Sequence, residues 1–484
     1  MLHDKDIQNL SELKSTFVAQ HKKSEFFSDL TDSLKIGKHH AIFSNVKQKG
    51  IPVITLIKIL LSFSFIGENS VLSFTQSYWN KFANFGKDAY YRLKNNPKIN
   101  WRKFLLAVIT RTIITLSERE SDAKIKNIKA FILDDSPVLK TGIAIEGVSK
   151  VWNHVIGKSI LGFQLLVMGY YDGTMFMLLD FSFHREKGKN KKYKFGLKLK
   201  HYRNQFFKKR DKTTPAYTRK KELDISKIAS AIKMIINGVK NGISADYVIV
   251  DSWFTCWELV KTTIENKMQF VGMFSKVKTN FTYFNQQMTY KAIRQLKSSK
   301  PKRNRRFNLY YIRVVVKWHG QLIALYFIRQ GKRGKWKTIL STDLSLSFNE
   351  TIEIYQLRWS IEVFFKKSKQ LLNLGKSQSN DFDAQIADTT IVMIQYIFLA
   401  LRHQVDKYES IGRIYKNTKA EILETRLHER LILLLIAIIG VIKDIFEEAD
   451  IDELFVKMIN DEQIFDKINF LIKPSAKTDL EKHL

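Results

Sequence analysis

The sequence predicts an α/β protein: a mixed sheet with a β-rich insertion, flanked by helical regions at both ends. Three observations predict it. Apolar residues recur at three- and four-residue steps through Ile51–Phe65 and Trp101–Leu116, the stripe of a buried helix face. Short apolar runs separated by turn residues then occupy Ala130 to His184, as strands do. From Ile225 to Phe274 a helix, a buried strand, a second helix and a second strand alternate, the order that builds parallel pairing.

Taken in order, residues 1–125 read as helical. Within them Ser77–Asn96 mixes aromatic rings with Lys81, Lys87, Arg92 and Lys94, and reads equally as a DNA-binding face or a solvated helix surface. Residues 126–275 hold a strand at Ala130–Leu133 ending in Asp134-Asp135. A second strand spans Ile160–Tyr171, and an Asp172-Gly173 turn leads to a third at Thr174–His184. After a basic excursion come a helix over Ile225–Gly238, a strand over Ala245–Asp251, a helix over Thr255–Lys267 and a strand over Gln269–Phe274. Residues 276–345 return to antiparallel strands, at Leu309–Trp318, Gln321–Gln330 and Trp336–Ser341. Residues 346–410 begin a long helix near Ser347–Glu350, capped by Ser347 or Asn349 and running to about Leu372, with another over Asp383–Val405. Residues 411–484 are helical with a frayed tail.

The chain has 484 residues and a formal net charge of +33. So much like charge repels itself unless a polyanion answers it, and nucleic acid is the natural partner. The excursion from Arg185 to Lys221 concentrates that charge and interleaves Phe195, Tyr202, Phe206, Phe207 and Tyr217, a composition suited to phosphate contact and base stacking. The competing reading is a solvated loop. No membrane role is expected: the longest unbroken apolar run, Leu431–Ile442 around Gly440, is too short to span a bilayer, and the N-terminus lacks a signal-peptide core. Cys256 is the only cysteine, so a reducing cytoplasm is the expected location.

The chemistry concentrates in three carboxylates. Asp134 and Asp251 each close an apolar strand, where ligands collect in α/β sheets. Glu362 lies in a helix where Tyr355, Arg358, Glu362 and Lys369 fall at offsets of 0, 3, 7 and 14. At about 100° per residue these four share an arc of about 60°. A carboxylate flanked by phosphate-binding cations suits cleavage of a DNA backbone. A surface helix with ion pairs from Arg358 to Glu362 and from Glu362 to Lys366 fits the same spacing, and geometry alone leaves both open.

The run Tyr355–Lys369, Y-Q-L-R-W-S-I-E-V-F-F-K-K-S-K, resembles the Y-x2-R-x3-E-x6-K signature of the insertion sequence 4 family of bacterial DDE transposases. Val248–Asp251 looks like the strand bearing that family's second aspartate, and Ile132–Ser136 like its first, with Asp134 rather than Asp135 as the ligand. The resemblance covers roughly residues 125–405. It implies an RNase H-like mixed five-stranded sheet whose β-rich insertion precedes the glutamate helix. It implies two Mg²⁺ ions held by Asp134, Asp251 and Glu362, with Mn²⁺ substituting, and phosphate contacts from Tyr355, Arg358 and Lys369. It further implies a homodimer that cuts the terminal inverted repeats of a mobile element and joins their 3′ ends to target DNA. An RNase H-like nuclease without strand transfer and an inactive transposase-derived DNA-binding protein are the alternatives. His154 and His184 lack ligand spacing, and Trp318 and Trp336 are candidates to stack on an extruded base, Trp336 the better one.

Overall fold

The computed structural model describes residues 34–420 apart from 45, 47–49, 78–79, 81–84, 118–127, 189, 191, 297–300 and 407–409. Lys81, Lys189, Lys191, the run Leu431–Ile442 and the tail Lys473–Leu484 therefore lie outside the described residues, as do 1–33 and most of 411–484.

Helices α1 (Val53–Ile66), α2 (Val71–Gln76), α3 (Lys87–Lys94) and α4 (Trp101–Ser117) precede the first strand. Strands β1 (Ala130–Leu139), β2 (Ser149–Asn153), β3 (Lys158–Tyr171) and β4 (Phe176–His184) follow. Then come α5 (Leu199–Arg203), α6 (Pro215–Glu222), α7 (Lys227–Lys240), β5 (Tyr247–Val250), α8 (Trp257–Glu265) and β6 (Gln269–Phe274). The next section holds β7 (Asn280–Tyr283), β8 (Gln286–Thr289), α9 (Tyr290–Leu296), β9 (Lys302–Asn304), β10 (Leu309–Trp318), β11 (Gln321–Gln330) and β12 (Lys337–Ser341). Helices α10 (Phe348–Gln356), α11 (Trp359–Leu371) and α12 (Phe382–Asp406) follow.

The expected mixed α/β arrangement is present. β1 runs antiparallel to β3, β3 antiparallel to β4, and β1, β5 and β6 are mutually parallel. The β3–β4 turn falls at Asp172-Gly173, where Gly173 takes φ 109°, a conformation glycine adopts without steric cost, and Asp172 accepts from the N–H groups of Thr174 and Met175. Ile132, Leu133, Val248, Ile249 and Val250 are fully buried, and each contributes roughly 1.5–3 kcal/mol by leaving water.

Three features differ from expectation. The sheet has twelve strands among the described residues, because β12 pairs antiparallel with β6 and β11, β10, β7 and β8 follow outward. An unpaired β6 edge would expose a row of backbone donors and acceptors, and β12 satisfies it. β1 is longer than its apolar run and continues through Asp134 to Leu139, paired throughout with β3. The single long helix is two helices. Around Leu357-Arg358 the backbone tightens to i→i−3 hydrogen bonds, Leu357 N–H to Ile354 O (3.1 Å) and Arg358 N–H to Tyr355 O (3.2 Å). Ser347 is the N-cap of α10, forming a capping box with Glu350.

α12 lies in the interior, against α1, α3, α4 and β4. Its stretch Phe382–His403 is long and apolar enough to cross a membrane by length and composition, but most of it is buried inside the protein. A search for unbroken apolar runs passes over it because polar residues such as Gln385, Thr389 and Gln395 interrupt it. Those residues are buried and hydrogen-bonded.

Candidate active site

Parallel pairing of β1 with β5 ends at Leu133 opposite Val250. Continuing that register by one residue sets Asp134 opposite Asp251, at the point where β5 stops and its partner goes on. The turn after Asp251 folds back on its carboxylate, which accepts from the N–H groups of Trp253 (2.9 Å) and Phe254 (3.1 Å). Arg358, in the tightened turn between α10 and α11, donates to Asp134 (3.2 Å) and to Glu362 one helical turn on. The guanidinium thus ties the β1 aspartate to the helix glutamate, and its carbon lies 5.7 Å from the centre of the Tyr355 ring. At the far end of α11 the Lys369 ammonium donates to Ser136 Oγ (2.6 Å) and Pro137 O (2.9 Å), fastening the helix to β1.

The electrostatics follow from burial of like charges. Burial, then the negative charge of Asp251, push the Asp134 carboxyl up to about 7 against the opposing pull of Arg358. Burial likewise raises Asp251, with Asp135 adding to the rise while the turn N–H groups and Arg358 oppose it. Burial works against the charge of Arg358, yet Tyr355, Glu362 and Asp134 together hold it above the usual range. Burial raises the Tyr355 hydroxyl and lowers Lys369.

Asp135 differs from Asp134 as neighbouring strand residues must. Its carboxylate pairs with Lys227 (2.8 Å), whose ammonium also sits 3.8 Å from the Trp253 ring centre. Asp251 feels the charge of both aspartates, but only Asp134 is linked to Arg358 and Glu362, so the contacts favour Asp134 as the residue that faces the helix.

Comparison with known families adds an independent observation to this geometry. Residues 172–398 match the family model of the transposase DDE domain. The match supports a DDE transposase, an enzyme type that cuts and joins DNA. It contains Asp251, Tyr355, Arg358, Glu362 and Lys369, spans just under half of the chain, and begins after the strand that carries Asp134. No curated protein matches the chain.

Among the described residues no three Asp, Glu, His or Cys side chains are gathered closely enough to hold a metal ion as they stand. At this site Arg358 stands between two of the carboxylates, bridging Asp134 and Glu362. The donor chemistry nevertheless fits a hard divalent cation: all three side chains offer carboxylate oxygens, and burial together with the charge of Asp251 pushes the Asp134 carboxyl up to about 7.

Other residues singled out in the sequence are placed elsewhere. Trp318 is buried against Trp257, Phe274 and Phe281. Trp336 is met by two guanidiniums, Arg329 at 4.5 Å and Arg294 at 5.6 Å from its ring centre. His184 is a buried core histidine bonded to Ser182 Oγ and Ile225 O, and His154 is exposed beside Trp152. Sequence reading missed Lys227 and Trp253 at the site. Trp253 stands two residues after Asp251 and was findable, whereas Lys227 opens a helix with no distinguishing spacing.

The raised Asp134 carboxyl makes a prediction for the metal-free protein. The folded state holds this proton more tightly than the unfolded chain, whose carboxyl titrates near 3.9. Stability from this group is therefore full below about pH 4 and lost as pH rises through about 7. Asp134→Asn removes the effect and should be more stable than the parent at pH 8 by up to a few kcal/mol, because each tenfold gain in proton affinity on folding corresponds to about 1.4 kcal/mol. The gap should close towards pH 4. Urea denaturation of both proteins across that range measures it, and a gap independent of pH would refute the assigned environment.

Proposed function

We propose that the chain is a DNA transposase of the insertion sequence 4 type with an RNase H-like catalytic core. It cleaves the terminal inverted repeats of a mobile element and transfers the 3′ ends into target DNA. The observation that carries this reading is the β1–β5 register at Asp134 and Asp251, joined to Glu362 through Arg358. The strand order β4-β3-β1-β5-β6, antiparallel then parallel, supports an RNase H-like core, and the insertion strands β7–β12 lie between the second aspartate and the glutamate.

In this reading residues 1–125 bind element ends, 126–275 and 346–410 form the two parts of the core, 276–345 form the insertion, and 411–484 are a C-terminal helical region. Asp134, Asp251 and Glu362 would hold two Mg²⁺ ions, with Mn²⁺ substituting, and such ions when bound activate the attacking oxygen and stabilise the leaving one. Arg358, released from its carboxylates, binds the phosphate beside the scissile bond. Tyr355 orients Arg358 and shares that phosphate. Lys369 spends two of its three N–H donors on Ser136 and Pro137 and keeps one for DNA. The protein works in the cytoplasm as a homodimer that brings two element ends together.

The test is a cleavage assay on a labelled element end that also scores joining of the 3′-hydroxyl to a target plasmid. Cutting with joining is the expected result. Cutting alone would make the protein a nuclease, and binding without cutting an inactive descendant. Arg358→Ala should lower cleavage at every Mn²⁺ concentration, because added metal cannot replace a guanidinium on phosphate. Full recovery at high Mn²⁺ would show that Arg358 serves only the carboxylates.

A further inference from the structure

The cations of the basic excursion fall into two groups. Lys208 and Arg210 turn inward. The Lys208 ammonium meets Asp381 (2.8 Å) and Asp383 (2.9 Å), while the Arg210 guanidinium meets Glu146 (2.6 Å) and Asp383 (2.8 Å) and is almost fully buried. Arg219 and Arg185 are likewise held, by Glu222 and Asp224. Just before Lys208 the Phe206 N–H donates to Ala144 O (2.7 Å). The segment from 205 to 213 is thus pinned on both sides of its tip by hydrogen bonds and buried ion pairs.

The pinned segment presents two phenylalanine rings and two lysines outward. Phe207 is 80% exposed, Phe206 is 41% exposed, and Lys209 and Lys212 are exposed beside them. Phe207 stands almost wholly in water, and with the partly exposed Phe206 ring and the lysines beside it forms a mixed apolar and cationic surface on a fixed support. The neighbouring charge selects the partner. Lys200 and Arg203 are also exposed just upstream, so the cations around the rings favour a polyanion at this tip.

We propose that residues 205–213 form a preorganised DNA-contacting tip, in which Phe207 stacks on a base exposed at an opened or terminal step and Lys209 and Lys212 engage the flanking phosphates. The inference rests on the reading of DNA as the partner. A flat ring accepts the π face of any base, so the contact is tolerant of sequence. The buried ion pairs fix the tip before binding, so little ordering entropy remains to be lost.

The experiment uses the full chain and a DNA duplex with a short single-stranded end carrying 2-aminopurine at successive positions. Phe207→Ala should weaken binding about 5- to 150-fold, leave the dependence on salt unchanged, and abolish the fluorescence change at one position. Phe207→Trp should restore both. The double variant Lys209→Ala/Lys212→Ala should instead reduce the slope of log affinity against log salt by about 1.4 to 1.8. All of these side chains are exposed, so the variants keep the fold. Wild-type affinity for Phe207→Ala would overturn the proposal, as would altered self-association with unchanged DNA binding. If the wild-type protein binds and joins DNA and Phe207→Ala does so equally, only this inference fails. If the wild-type protein binds no DNA, the functional reading fails with it.

Discussion

Glu362→Gln is expected to reduce cleavage by about 10³-fold or more at ordinary Mg²⁺ while leaving DNA-end binding within a few-fold. The substitution keeps the shape of the side chain and removes its charge. A metal site acting on the reacting oxygens supplies several kcal/mol of transition-state stabilisation, and each 1.36 kcal/mol is tenfold in rate. The structure adds a second consequence. Arg358 now divides itself between Asp134 and Glu362. Without the glutamate charge it settles on Asp134, which makes the metal site harder to fill. High Mn²⁺ should therefore rescue Glu362→Gln only in part. Gel-shift binding and single-turnover cleavage measured on the same preparations separate the two effects. Full cleavage by the variant at ordinary Mg²⁺ would remove Glu362 from the ligand set and with it the central reading of the site.

Arg210→Met is expected to destabilise the protein by about 3–5 kcal/mol, because it strands buried carboxylates without their main counter-charge. The Arg210 side chain is 2% exposed and its partners Glu146, Asp381 and Asp383 are 3%, 8% and 2% exposed, so water cannot take its place. Burial pushes the Glu146 carboxyl up, but Arg210 and Lys220 hold it below the usual range. Lys208 still reaches the two aspartates, whereas Glu146 keeps Lys220 at 3.3 Å as its counter-charge and the N–H groups of Lys208 and Phe382. The loss should appear as a lower urea midpoint with an unchanged slope. Lys221→Met, at an exposed position of the same segment, should change stability by less than about 0.5 kcal/mol. A loss under about 1 kcal/mol for Arg210→Met would mean that the carboxylates find other partners and that the segment is not pinned as described.

The basic excursion shows where sequence reading runs short. Counting charges along the chain finds Glu186 and Asp211 as the only opposing residues, so the run reads as a uniform polyanion-binding surface or a solvated loop. The acids that answer Lys208, Arg210, Arg219 and Arg185 come from Glu146, from Asp381 and Asp383, and from Glu222 and Asp224, all of them outside the run. Sequence distance hides Glu146, Asp381 and Asp383, while Glu222 and Asp224 stand just past the end of the run. The same limit applies to the insertion: its strands are evident from alternation and turn residues, but nothing in their pattern says that β12 will pair with β6 and extend one sheet.

The sequence by itself determined the α/β class, the antiparallel-then-parallel order of the strands, and the shared helix of Glu362 and Lys369. Each of these is written in local periodicity or in fixed spacing along one element, and local geometry preserves it. Only the tertiary structure decided which of Asp134 and Asp135 turns toward Arg358, since a one-residue change of register exchanges the two faces of a strand. It likewise decided that Arg358 bridges Asp134 and Glu362, that the long helix tightens at Leu357-Arg358, and which cations of the excursion are spent on the fold. Those outcomes depend on burial and on partners distant in sequence, where desolvation makes a nearby opposite charge worth far more than it is in water.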